Sequence, residues 1–230
     1  MARVTESIDN IIFKHMYSIL KAQGVLPLVT QINIETARIV LQSAADAGIK
    51  IIEFAARAAN AKEVFTQMVA FKKANNLDVK IAVGSILSVD DAETFHQLGA
   101  DCIVCPHTDP EISNYCFKNN IYWIPGAATL NEILHANKLG ADIVKLFPAD
   151  KIGGPGYVKA IRAPFPNLRI MPTGGVTLEE SNLKSWFKSG VVCVGIGSNL
   201  FSKEMLLNLN YEQSLKAFQN LIEVVEKTRK

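Results

Sequence analysis

Two charged residues stand inside otherwise apolar runs of this chain. Glu53 lies in Ile51-Ile52-Glu53-Phe54-Ala55, and Lys145 in Ile143-Val144-Lys145-Leu146-Phe147. Alternation along an extended chain puts Glu53 on the face of Ile51, and Lys145 on the face of Ile143 and Phe147. Isolated charges are rarely buried in such company unless they are paired. A structural Lys–Glu ion pair is one reading. The chemical reading uses the same burial: an apolar setting disfavours the charged form of an amine, and the neutral amine attacks carbonyl carbon. A carboxylate nearby then shuttles the protons that imine formation requires. Lys145 as Schiff-base nucleophile and Glu53 as general acid/base form a consistent pair.

Two glycine turns come next. Pro172-Thr173-Gly174-Gly175 and Gly195-Ile196-Gly197-Ser198 each close an apolar run. Glycine lets the backbone approach a ligand closely, and helix N-termini offer free N–H groups to anions. Together the turns predict phosphate binding. Gly153-Gly154-Pro155-Gly156 is not followed by Gly-Lys-Ser/Thr, so it is no Walker loop and is expected to be a flexible connection. Cys102-x-x-Cys105 followed by His107 has the look of a metal or redox site. No second CxxC or HxxxH completes a zinc shell, and the segment also reads as a buried strand in which thiols act as small hydrophobes.

Side chains so scattered need a scaffold that gathers them. Short apolar runs alternate with helical patterns along nearly the whole chain. The predicted strands are Val25–Val29, Ile49–Ala55, Val79–Gly84, Cys102–Cys105, Ile121–Ile124, Ile143–Phe147, Arg169–Met171 and Val192–Ile196. Their continuous apolarity suits parallel strands covered on both faces. Gly48, Gly99, Gly140 and Gly190 each fall just before a run, where a left-handed glycine would end a helix. Asn60 with Glu63, Thr129 with Glu132 and Thr177 with Glu180 read as capping boxes, and Asp109-Pro110 as a further helix start. Helices therefore begin just after strands end, in one polarity throughout. Eight such units match an α/β fold of the (β/α)8 TIM-barrel type, whose chemistry sits at the C-terminal ends of the strands. An open doubly wound sheet is the alternative, and no G-x-G-x-x-G follows the first strand to favour it. An extra N-terminal helix is expected at Ser7–Lys21, and an amphipathic helix packed on the barrel at Tyr211–Lys230, with Leu215, Phe218, Leu221, Ile222 and Val225 on its stripe.

Composition narrows the function. The 230 residues are 49% hydrophobic and 20% charged with a formal net charge of +2, which fits one domain over residues 1–230 with a sizeable core. No block of like charges suggests nucleic acid. The apolar runs fall far short of the roughly 18 residues a membrane span needs. Met1–Asn10 lacks the layout of a signal peptide. A soluble, cytoplasmic protein that binds neither nucleic acid nor membrane is expected.

These residues resemble the 2-keto-3-deoxy-6-phosphogluconate aldolase and 4-hydroxy-2-oxoglutarate aldolase family. The resemblance rests on Lys145-Leu146-Phe147-Pro148-Ala149, Pro172-Thr173-Gly174-Gly175, Pro125-Gly126-Ala127-Ala128-Thr129-x-x-Glu132 and Glu53-x-x-x-Arg57, and runs in order from Val25 to Ser198. It implies a class I aldolase that cleaves a keto-deoxy sugar acid phosphate to pyruvate and glyceraldehyde 3-phosphate, without metal or other cofactor, as a homotrimer. Lys145 then matches the Schiff-base lysine and Glu53 the catalytic glutamate. Arg57 matches an arginine that holds the substrate carboxylate. Ser85 stands where a Gly-Ala-Gly-Thr turn is usual and keeps the hydroxyl, and Thr173 matches a pocket threonine. Gly174, Gly175, Gly197 and Ser198 match the phosphate-binding turns. The chain departs at Ala55-Ala56-Arg57-Ala58, where Thr-Leu-Arg-Thr is common, and at Cys105-Pro106-His107, where Ser-Pro is usual. His107 is expected to be a solvated loop residue at the end of the fourth strand. Outside this family, a sugar-phosphate epimerase or isomerase, or a non-catalytic phosphosugar-binding barrel, fits the same residues.

Overall fold

Parallel strands wind around an apolar centre, each followed by a helix on the outside. The computed structural model describes residues 8–30 and 32–229. The strands are β1 (Val25–Thr30), β2 (Ile51–Ala55), β3 (Lys80–Gly84), β4 (Cys102–Val104), β5 (Tyr122–Ile124), β6 (Gly126–Ala127), β7 (Val144–Leu146), β8 (Ile170–Pro172) and β9 (Val194–Ile196). The helices are α1 (Ile8–Gln23), α2 (Ile34–Asp46), α3 (Ala61–Ala74), α4 (Val89–Gln97), α5 (Pro110–Lys118), α6 (Leu130–Lys138), α7 (Gly154–Arg162), α8 (Glu180–Lys188), α9 (Lys203–Leu207) and α10 (Tyr211–Arg229).

Hydrogen bonding runs β5-β4-β3-β2-β1-β9 in one ladder and β6-β7-β8 in another, all parallel. Two joints turn these into one ring. On one side Thr173 bridges Gly195, and Val192 N donates to Ile170 O at 3.0 Å. On the other, β5 and β6 are a single bent strand interrupted at Pro125, which has no N–H to give a ladder. The Pro125 carbonyl still accepts from Lys145 N at 2.8 Å. The expected fifth strand thus changes neighbour at its proline, leaving β4 for β7, and the eight-unit barrel closes.

The alternation expected for barrel strands is met. Leu26, Ile51, Ala82, Cys102, Val104, Tyr122, Ile124, Ile143, Met171 and Cys193 form an inner cluster, joined by Met16 and Leu20 of α1. The N-terminal helix therefore plugs the bottom of the barrel. Its described part is Ile8–Gln23; Ser7, the expected first residue, lies outside the described residues. The complementary strand residues, such as Ile52, Phe54, Ile81, Val83 and Ile103, pack outward on the helices. Cys102 and Cys105 fall in opposite layers, which ends their reading as one metal or redox site. Burial pushes the Cys105 thiol up to about 12, and Trp123 Nε1 donates to its sulfur at 3.4 Å.

The helix stops were legible. Gly48, Gly99, Gly140 and Gly190 all have φ between 84° and 102°, a region open to glycine at little cost. Asn76 and Asn120 do the same work after α3 and α5 at φ 51° and 55°, as asparagine can. The starts were less so. Thr129–Glu132 is a true capping box, but Asn60 makes no side-chain cap bond. The third expected box fails because α8 begins at Glu180 with Glu179 as cap; the Thr177 amide instead donates to Asn182 Oδ1 at 3.1 Å. The segment Gly153–Gly156 is not a loose connection: Gly153, at φ 111°, caps α7, and Gly154 and Gly156 lie within its first turn. The amphipathic C-terminal stripe holds, with Phe218, Leu221 and Val225 buried in α10. Among the described residues no helix is long and apolar enough to cross a membrane.

Candidate active site

One pleat above the apolar inner cluster, the strands present a second inward layer. Glu53 follows Ile51 by two residues, Lys145 follows Ile143, and Thr173 follows Met171, so all three share the interior face. Lys145 Nζ lies 3.3 Å from Glu53 Oε1, and the two side chains are 6% and 2% exposed. The Lys145 ammonium position is also 5.8 Å from the centre of the Phe147 ring. The pair inferred from two anomalous charges is therefore physically a pair, reached from strands 92 residues apart in sequence.

Space for it comes from small residues in the same layer. A Cβ on Gly84 would lie 2.7 Å from Glu53 Cδ and closer still to Oε1. A Cβ on Gly195 would overlap Thr173 Oγ1. That hydroxyl is buried with no hydrogen-bond partner among the described residues. An orphaned buried hydroxyl costs stability unless something else meets it. Gly84, which a reading by chemical type passes over, and Gly195, noted in the sequence only as part of a glycine turn, both act here through the side chain they lack.

Arg57 and Ser85 are also brought together. Arg57 Nε donates to Ser85 Oγ at 2.9 Å. Ser85 holds φ 66°, a left-handed conformation that costs a non-glycine residue about 1–2 kcal/mol. That strain aims its hydroxyl at the arginine. With Nε committed to Ser85, the two terminal amines of the guanidinium make no side-chain or main-chain hydrogen bond among the described residues.

The two glycine turns lie at the tops of β8 and β9. Gly174 and Gly175 have φ 100° and 70°. Among the described residues no main-chain carbonyl accepts from the N–H of Gly174, Gly175 or Ser198. Consecutive free amides in such a turn form an anion-binding concavity. Side-chain amides lock the turns: Asn182 Nδ2 donates to Gly175 O at 3.1 Å, and Asn199 Nδ2 to Val176 O at 2.8 Å. These two asparagines were not singled out from sequence, where asparagine in a loop carries no distinctive signal. His107 is 43% exposed with Nε2 3.8 Å from Asp109 Oδ2. It lines a cleft of about 380 Å³ with Thr108, Asn131, His135 and Phe147, as a solvated loop residue. Among the described residues no three His, Cys, Asp or Glu side chains are grouped to hold a metal ion.

A closed parallel barrel with a contacting amine and carboxylate inside its C-terminal rim has the architecture of a (β/α)8 enzyme. The family follows from comparison with known proteins: residues 16–217 match the model of the KDPG and KHG aldolases, and the chain belongs to that family. It is 27% identical over 210 residues to the 2-dehydro-3-deoxy-phosphogluconate aldolase of Treponema pallidum, covering 91% of this chain and 97% of the relative. It is 29% identical over 147 residues to the 2-dehydro-3-deoxy-6-phosphogalactonate aldolase of Escherichia coli, covering 62% and 70%. In fold it matches the crystal structure of KDPG aldolase from Legionella pneumophila with pyruvate captured as a covalent carbinolamine, with TM-score 0.80, 24% identity, and 88% and 96% coverage.

Proposed function

We propose that this chain is a class I aldolase that cleaves 2-keto-3-deoxy-6-phosphogluconate to pyruvate and glyceraldehyde 3-phosphate through an imine on Lys145. The observation that carries the reading is the buried contact of Lys145 Nζ with Glu53 Oε1 at 3.3 Å, in a chain of this family. The amine adds to the C2 carbonyl, and Glu53 passes the proton that lets water leave the carbinolamine. Glu53 then takes the C4 hydroxyl proton. The C3–C4 bond breaks, the aldehyde departs, and the electron pair moves onto the imine to give an enamine. Glu53 returns a proton to C3, and water frees pyruvate from Lys145.

Arg57 and Ser85 hold the substrate carboxylate, Thr173 meets an oxygen of the substrate, and the Gly174–Gly175 and Gly197–Ser198 turns take the phosphate. The chain works without metal or other cofactor, as a homotrimer in the cytoplasm, in the Entner–Doudoroff sequence. It is one barrel domain over residues 1–230. 4-Hydroxy-2-oxoglutarate and the galactonate epimer belong in the same substrate panel, the latter because of the E. coli relative.

The test is trapping. Incubation with pyruvate followed by borohydride reduction should add the pyruvate mass to the peptide holding Lys145. Lys145→Arg should be inactive, because a guanidinium stays protonated and cannot add to a carbonyl. Pyruvate release without adduct at Lys145 would overturn the mechanism. Equal rates of pyruvate release with and without a chelator are expected; loss of activity would overturn the metal-free reading, and absence of pyruvate release from the parent would favour the epimerase or binding-protein reading.

A further inference from the structure

A second cleft, of about 230 Å³, opens over the C-terminal end of β1. Leu28 and Thr30 form its floor, and Arg57, Gly197, Ser198 and Lys203 line its walls. Among the described residues no Asp or Glu lines it. Among the described residues neither Arg57 nor Lys203 has a carboxylate within ion-pair distance. Arg57 and Lys203, both solvent-exposed and without a carboxylate partner among the described residues, give this small volume beside the Gly197–Ser198 turn a positive potential that favours an anion.

Lys203 is held there by structure. Ser202 caps α9 by accepting from Met205 N at 3.1 Å, and Thr36 Oγ1 donates to Leu206 O at 3.5 Å, which ties α9 to α2. The Gly174–Gly175 side differs. There the turn backs onto Asp150, whose carboxylate pairs with Lys151 at 2.8 Å. The β8 turn thus offers amides without net positive charge, while the β9 turn offers amides with two cations.

We propose that Lys203 is a specificity residue of the substrate's distal anion: its ammonium, beside the Gly197–Ser198 turn, selects a doubly charged phosphomonoester over an uncharged sugar end. The proposal rests on the aldolase reading above and adds to it a cation from α9.

Lys203→Met keeps the aliphatic stem and removes the charge. Steady-state cleavage of the phosphorylated keto-deoxy acid should show KM raised about tenfold with kcat kept within twofold, the scale of one charge-assisted bond on an exposed chain. The unphosphorylated keto-deoxy acid should show no such change, and Lys203→Arg should restore most of the loss. In parallel, titration with inorganic phosphate by calorimetry should show about tenfold weaker binding to Lys203→Met. A KM and phosphate affinity within twofold of the parent would overturn the proposal. So would an equal loss on both substrates, which marks a structural role. The phosphate titration needs no turnover, so it judges Lys203 even if the parent fails to cleave the phosphorylated acid and the aldolase reading falls.

Discussion

Gly84 is where the geometry of the site can be tested without touching a charged group. Its backbone lies at the end of β3, paired with Ala55 of β2, and it is buried. Its φ is not in the left-handed region, so alanine is free to adopt the backbone. What alanine cannot avoid is Glu53: the new methyl would stand 2.7 Å from Cδ and 2.9 Å from Cγ, where ordinary carbon contacts need about 3.5 Å or more. The carboxyl must retreat by the better part of an ångström, which ends the 3.3 Å contact with Lys145. Misplacing a reacting group by about 1 Å costs on the order of 10²-fold, and full loss of general acid–base help costs about 10²–10⁴. Gly84→Ala should therefore lower kcat by roughly 10²-fold, or about 2.7 kcal/mol of barrier, while overpacking costs about 1–3 kcal/mol of stability. The assay is pyruvate release in the parent, Gly84→Ala, Glu53→Gln and the double variant, each checked for folding by thermal melt. If the methyl acts through the carboxylate, the double variant is no slower than Glu53→Gln alone, and the two effects do not add. Additive losses, or a Gly84→Ala enzyme with normal kcat, would refute the reasoning.

Three further outcomes follow from other parts of the molecule. Burial pushes the Cys105, Cys116 and Cys193 thiols up to about 12 and that of Cys102 well above its usual value; an aromatic disulfide reagent at pH 8 should therefore leave the native protein nearly unlabelled and titrate four thiols after denaturation. Leu20 is fully buried in the plug beneath the barrel, so Leu20→Ala should cost about 2–5 kcal/mol in denaturant melts, with kcat at low temperature within twofold because the site is at the other end. The amides of Ala128 and Thr129 donate to Glu132 at 2.8 Å and hold its carboxyl below the usual range. A depressed folded value gives stability that is present above the unfolded pKa and lost as pH falls through the folded one, so the stability gap between parent and Glu132→Ala should be open at neutral pH and close in acid; a gap that widens in acid would contradict the cap.

The barrel was legible because each unit repeats the same two signals. Gly48, Gly99, Gly140 and Gly190 end helices for the reason glycine is there, at positive φ. Continuous apolar runs follow them because both strand faces are covered. Where reading failed, a different local arrangement of the same segment won. Thr177 has the spacing of a capping box, yet its amide is taken by Asn182, which also holds Gly175. Gly153 through Gly156 carry the composition of a loop, but Gly153 needs its left-handed φ to turn the chain into α7. The bend at Pro125 depends on which strand lies next to each half, and no local pattern records that.

Among the proposed site residues, those whose type was out of place were the easiest to find. Glu53 and Lys145 are charges on an inward face, and the barrel confirms their place in the layer and their contact. Why they sit in that layer follows from the other end of the cylinder. Below them the interior is apolar and sealed by Met16 and Leu20 of α1, so an unpaired charge there would have neither water nor ligand. One pleat higher, the rim is open, and the glycines of β3 and β9 replace bulky neighbours. A charge at that level is buried and paired, and in the proposed reaction it is where the substrate would be met. The residues that make this possible are glycines, and their signal in sequence is the absence of a side chain beside a charge. Gly84 touches Glu53 and Gly195 touches Thr173 only when the strands are in register. The chemistry is therefore written in the anomalous residues, and the room for it in ordinary ones whose importance only closure of the ring reveals.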